Sequence, residues 1–145
     1  YFFILSLSDG YWVGLGSDHT DRLIEASDVT VSKQMCAKPI AKGLWRYEDV
    51  VDHWDQLVLK STIIVDGNEE QYQEGPVTTM RDPQELISLY TGSGALPLGT
   101  LMFCGTLAAA GGVRPADIFQ ASLIDQKLNR KISFSYEALS LPPEE

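Results

Sequence analysis

Two Asp-Gly dipeptides constrain this chain most, because each interrupts a run of strand-forming residues. Asp9-Gly10 divides the apolar run 2–8 from the run 11–17, and Asp66-Gly67 follows the β-rich run Leu57 to Val65. Asp-Gly tolerates the positive φ angles that tight hairpin turns need, so such a dipeptide between strand-like runs predicts a hairpin. The return strand of the second hairpin is expected from Gln71 to Val77. A short buried strand is expected from Leu101 to Cys104. Two antiparallel strands, Ile118 to Ile124 and Lys131 to Leu139, should turn about Asp125-Gln126.

Helical signals are fewer. Asp82-Pro83-Gln84-Glu85 offers an N-cap, a proline at the first helical position and a capping-box acid. Leu86, Ile87, Leu89 and Tyr90 then supply an apolar face, and Gly92 stops the helix. A short helix is expected around Leu23, Ile24 and Ala26, capped by Asp18 or Thr20. One or two helical turns are expected over 48–56. The stretch holding Val29, Val31 and Met35 reads as extended or irregular. The resulting class is α+β, predominantly β, with a few short helices. Residues 1–141 form one domain in this reading, and 142–145 a loose tail.

Composition narrows the function. The 145 residues are 44% apolar and 21% charged, an ordinary globular balance. Eleven Lys and Arg against 20 Asp and Glu leave a formal charge of −9. That acidity argues against binding a phosphate backbone. No apolar run is long enough to span a membrane. Cys36 and Cys104 are the only cysteines. They form neither a zinc pattern nor a disulfide scaffold, which points to a reduced, cytoplasmic setting. A single long-range disulfide stays open. Tyr1 reads as a cut end.

The densest chemistry is Gly16-Ser17-Asp18-His19-Thr20-Asp21-Arg22. Carboxylates at a strand end suit a hard cation. The plain alternative is a polar turn with a capping Asp or Thr. His19 is a candidate general base, its alternative a surface or capping residue, whereas His53, among Asp52, Trp54 and Asp55, suits a solvated or packed role better than catalysis. Lys38, flanked by small and apolar residues, can place a point charge against an oxyanion. Its alternative is a surface lysine. Gly105 and Thr106 follow a buried strand, where backbone amides and a hydroxyl can hold a carboxylate or merely form a turn.

Together these segments resemble the fumarylacetoacetate hydrolase superfamily. Ser17-Asp18-His19-Thr20-Asp21-Arg22 is similar to its Asn-Asp-x-x-x-Arg element, with Ser in place of Asn. Lys38 stands twenty residues after Asp18, as a family lysine does. Val65-Asp66-Gly67-Asn68 resembles its hairpin, and Cys104-Gly105-Thr106-Leu107 its Gly-Thr-Pro, with Leu for Pro. Gly16–Arg22 and Tyr72-Gln73-Glu74-Gly75 look closest to an uncharacterised microbial branch. The resemblance implies rolled or layered mixed β-sheets and the C-terminal part of a longer catalytic domain. It implies a divalent-metal-dependent hydrolase or lyase acting on a small 2-oxo or 1,3-dicarbonyl acid through a metal-stabilised enolate. Asp18 would bind Mg²⁺ (or Mn²⁺ or Ca²⁺), with further carboxylates upstream of Tyr1. Lys38 would be catalytic, and Gly105, Thr106 and Arg22 would bind substrate, Arg22 also bracing Asp18. The 145-residue piece alone would be inactive. A homodimer is implied too, with Tyr11, Trp12, Trp45, Tyr47 and Trp54 as interface aromatics. The rival reading is a non-catalytic relative serving as a binding or structural module.

Overall fold

The computed structural model describes residues 1–142, so the expected tail at 142–145 falls mostly outside it. The described residues form two four-stranded antiparallel sheets and a few short helices. In the first sheet β1 (Phe2–Leu7) and β2 (Gly10–Leu15) make the hairpin at Asp9-Gly10. Short edge strands β3 (Trp45–Arg46) and β6 (Leu101–Phe103) flank it in the order β3-β2-β1-β6. The second sheet runs β5-β4-β7-β8, built from β4 (Leu57–Val65), β5 (Asn68–Pro76), β7 (Ile118–Asp125) and β8 (Arg130–Glu137).

Both sheets feed one core. Phe2, Ile4, Val13 and Leu15 of the first pack with Leu57, Leu59, Leu123 and Ile132 of the second. The period-2 alternation of β4 is the cause: Leu57, Leu59, Ser61 and Ile63 all turn inward. The opposite face of β1 is also covered, by Phe3, which is fully buried. Its ring lies over the cross-strand residue Gly14, where an added Cβ would come within 2.2 Å of it. Any larger residue at 14 would expel the ring.

The capped helix appears as α3 (Pro83–Thr91), with Asp82 accepting from the Gln84 amide and Gly92 closing it in the left-handed region. Two expectations change. Asp21, not Asp18 or Thr20, caps α1 (Arg22–Glu25). Residues 29–35 are helical rather than extended: Asp28 accepts from the Val31 amide and opens α2 (Val29–Met35). A cap placed just before a β-branched run outweighs the weak strand preference of Val29 and Val31. Residues 47–56 make 3-10 turns. The last hairpin closes with Asp125 still in β7, its carboxylate accepting from the Leu128 amide, and Asn129 taking a positive φ of 49°.

The aromatic residues named as interface candidates also contribute to the fold. Trp45 is buried, Tyr11, Tyr47 and Trp54 pack against the core, and Trp12 lies beneath the Arg46 guanidinium. Both cysteines are free thiols. Among the described residues no helix is long and apolar enough to cross a membrane.

Candidate functional site

The segment after β2 leaves the sheet at Gly16 and is pinned by backbone bonds from the Ser17 amide to the Pro39 carbonyl and from Ala41 to Leu15. Residues 17–22 are thereby laid beside residues 36–41. Caps at Asp21 and Asp28 fold α1 and α2 back over them, which brings Lys33 in.

Asp18 and Lys38 therefore meet, 3.2 Å apart, and Lys33 approaches the other carboxylate oxygen at 2.7 Å. Lys38 also donates to the His19 carbonyl. Burial alone would raise the Asp18 carboxyl, but the two ammonium groups hold it below its ordinary value. The bond to Asp18 raises the Lys33 pKa in turn. One carboxylate against two cations leaves a net unit of positive charge. The exposures matter: the Asp18 side chain is 10% exposed, Lys38 30% and Lys33 42%. The anion lies behind and the cations in front.

Tyr136, from the far end of β8, completes the cluster. Its hydroxyl lies 2.8 Å from Ser17 Oγ and 3.1 Å from His19 Nδ1. The rings of His19 and Tyr136 meet edge to face at 5.5 Å. Burial raises the Tyr136 pKa, so the phenol stays protonated at neutral pH. Burial first, then Arg22 and Lys38, lowers the His19 pKa, so its imidazole is neutral there. Behind Tyr136 runs an aromatic strip of Phe134, Phe119 and Tyr72.

Arg22 is placed differently from its expected role. It bonds Thr20 and pairs with Glu25 at 3.2 Å rather than bracing Asp18. Gly105 and Thr106 are held by separate partners. The Gln73 amide donates to Thr106 Oγ1 at 2.9 Å and to the Leu107 carbonyl at 2.6 Å. Gly105 has φ 111°, and a Cβ there would lie 2.9 Å from Met80 Cγ. Gly105, Thr106 and Met80 line a shallow groove of about 440 Å³ that includes Arg81. Phe103 stands between the two regions, its ring against Tyr1 and close to Gly16. The neighbouring Cys104 thiol is buried and pushed up to about 12, so it is inert.

As for a metal, both Asp18 oxygens face ammonium groups. No group of three His, Cys, Asp or Glu side chains among the described residues is placed to hold an ion. This donor set does not fit Mg²⁺, which requires several oxygen ligands.

A family model described as "Protein of unknown function (DUF2848)" matches residues 1–136. The chain belongs to that family. No curated protein and no solved structure matches it. The DUF2848 match corrects the resemblance drawn from the motifs, since a family other than the fumarylacetoacetate hydrolase superfamily accounts for nearly the whole chain. The structure shows how the short motifs misled. Asp21 and Arg22 belong to a helix cap and an i,i+3 pair, and Asp66-Gly67 is the turn any tight hairpin favours.

Proposed function

We propose that this chain binds a small carboxylic acid of the 2-oxo or 1,3-dicarbonyl type at the Ser17–Lys38–Tyr136 cluster and moves a proton on it. The observation that carries this reading is the layered charge at Asp18. The acid is covered, while Lys33 and Lys38 face outward with one uncompensated positive charge. On a chain of net charge −9, that is a local attraction for a carboxylate. Lys38 then neutralises charge that develops on a carbonyl oxygen. His19, neutral and half-buried, accepts a proton, and the Tyr136 hydroxyl orients the ring through Nδ1. The aromatic strip beside Tyr136 offers apolar surface to the rest of the ligand.

A second reading, a purely structural tie, draws on the low exposure of Ser17 and Thr20, at 9% and 3%. Calorimetric titration of pyruvate and of acetoacetate separates the two. Saturable binding that is lost in Lys38→Met and loses its pH dependence in His19→Gln supports the site. No binding by a folded protein, with both variants merely less stable, leaves the structural tie.

A further inference from the structure

The four sheet edges are not equally guarded. Edge strands β3 and β6 have two and three residues, too short to recruit another strand. β5 is long, but it carries Glu69, Glu70 and Glu74, ends in Pro76, and bulges at Tyr72 opposite Ser61/Thr62. A loop also covers it, through the Ala110 amide to the Tyr72 carbonyl and Arg114 to Glu70. β8 has eight residues, no bulge against β7 and no backbone partner on its outer side among the described residues. An open groove of about 570 Å³ lies along it, between Lys131–Ser135 and the segment 39–43.

The register says which groups face outward. Val65 and Asn68 close the two-residue turn of the β4–β5 hairpin, and a pair that closes such a turn exchanges both of its bonds. Alternation carried across β4 and β7 then points residues 130, 132, 134 and 136 of β8 toward β7. The Ala138 amide bonding the Asp117 carbonyl continues the series. Lys131, Ser133, Ser135 and Glu137 therefore present their amides and carbonyls to the open side.

We infer that β8 pairs antiparallel with β8 of a second copy of this chain, about a two-fold axis at Phe134, joining two sheets into one of eight strands. In that register every outward residue meets another. Lys131 faces Glu137 of the partner subunit, Ser133 faces Ser135 of the partner subunit, and the relation repeats by symmetry. Lys131 and Glu137 are exposed, and neither has an ion pair among the described residues. Opposite charges thus stand at matching distances on either side of the axis, which a strand built to repel copies of itself would not show. The outer-face serines are small and let the backbones approach. On the inner face the two Phe134 rings meet across the axis.

Sedimentation velocity on the 145-residue chain over a range of concentrations tests this. A dimer that dissociates on dilution is expected. Ser133→Pro removes an outward amide without touching the bonds to β7, and should leave a folded monomer. Lys131→Glu opposes like charges twice and should weaken association roughly tenfold, while Lys131→Glu with Glu137→Lys should restore it. If Ser133→Pro fails to fold, judged by its circular dichroism, the charge series decides alone. A monomer at every concentration overturns the proposal. So does a dimer indifferent to a folded Ser133→Pro, or one that the charge reversal fails to rescue.

Discussion

Each end of the second sheet carries an aspartate, a histidine and a cation, and the two ends use them oppositely. At one end Asp125 is fully buried. It receives His53 Nε2 at 3.0 Å, Arg130 Nε at 3.1 Å and the Leu128 amide at 3.1 Å. His53 is buried too, and the Arg130 guanidinium lies 4.7 Å over the Trp45 ring. At the other end, roughly 20 Å along β7 by strand rise, Asp18 is covered but its lysines are not. There His19 bonds a neutral hydroxyl, and its Nε2 makes no hydrogen bond among the described residues. The knot at Asp125 closes on the buried His53 and on the Arg130 guanidinium, and it fixes the turn between β7 and β8. The Asp18 cluster leaves a cation layer with a half-buried imidazole beside it. The same three residue types make scaffold where the histidine is buried against the carboxylate, and a candidate site where it bonds a neutral hydroxyl instead.

The largest expected effect falls on the closed end. Asp125→Ala leaves a buried imidazole and a guanidinium without their acceptor. It should cost about 3–5 kcal/mol in urea unfolding. Burial raises the Asp125 carboxyl, but His53, the Leu128 amide and Arg130 outweigh it and hold the pKa below 3.8. A depressed carboxyl stabilises the fold above 3.8 and loses that contribution as pH falls below it. Asp125→Asn should therefore flatten the acid limb of the stability curve. A loss under 1 kcal/mol for Asp125→Ala would mean that the knot is no scaffold, and the contrast between the ends would go.

Asp18→Asn probes the open end and should do less to the fold, about 1–2 kcal/mol, because its lysines regain water. Its effect on ligand should run the other way. With the acid neutralised, two uncompensated ammonium groups remain, and a small carboxylate should bind more tightly. Weaker carboxylate binding in a folded Asp18→Asn would break the layered-charge reading.

The two ends also differ in what the sequence disclosed. Both Asp-Gly hairpins and the helix at Pro83–Thr91 were legible, because turn and cap chemistry is local. The pairing of Asp18 with Lys38 was legible only as two candidates twenty residues apart. Lys33 is not legible as a member, because Val29 and Val31 read as extended and only the cap at Asp28 makes 29–35 helical. Tyr136 lies 117 residues from His19, and nothing local links them. The alternation of Ile132, Phe134 and Tyr136 on one face of β8 was the available signal. His53 reads from the sequence as solvated or packed, and the structure makes it packed; its partner Asp125 is visible there only as part of a turn.

A smaller effect concerns His19. Burial, Arg22 and Lys38 keep its folded pKa below 6.5, so the folded form binds fewer protons than the unfolded chain as pH drops through that value. Stability should decline on acidification below 6.5, and His19→Gln should remove that part of the slope. NMR titration should place the His19 midpoint below 6.5. A midpoint above neutrality would mean that the ring is mostly charged there and is no proton acceptor.

The smallest expected effect is that of metal. Mg²⁺ or Mn²⁺ titrated into this chain should give no tight binding, with dissociation constants weaker than about 1 mM, because a cation at Asp18 must displace two ammonium groups to gain a single carboxylate. Asp18→Asn should leave that weak response unchanged. Lys33→Met with Lys38→Met sharpens the point: with both competitors gone, Asp18 is free, yet one carboxylate still cannot replace the several oxygen ligands that Mg²⁺ requires. Tight binding that fell sharply in Asp18→Asn would show that the carboxylate leaves its lysines for an ion. The open end would then be a metal centre with ligands beyond those described, and the cation layer only its resting cover.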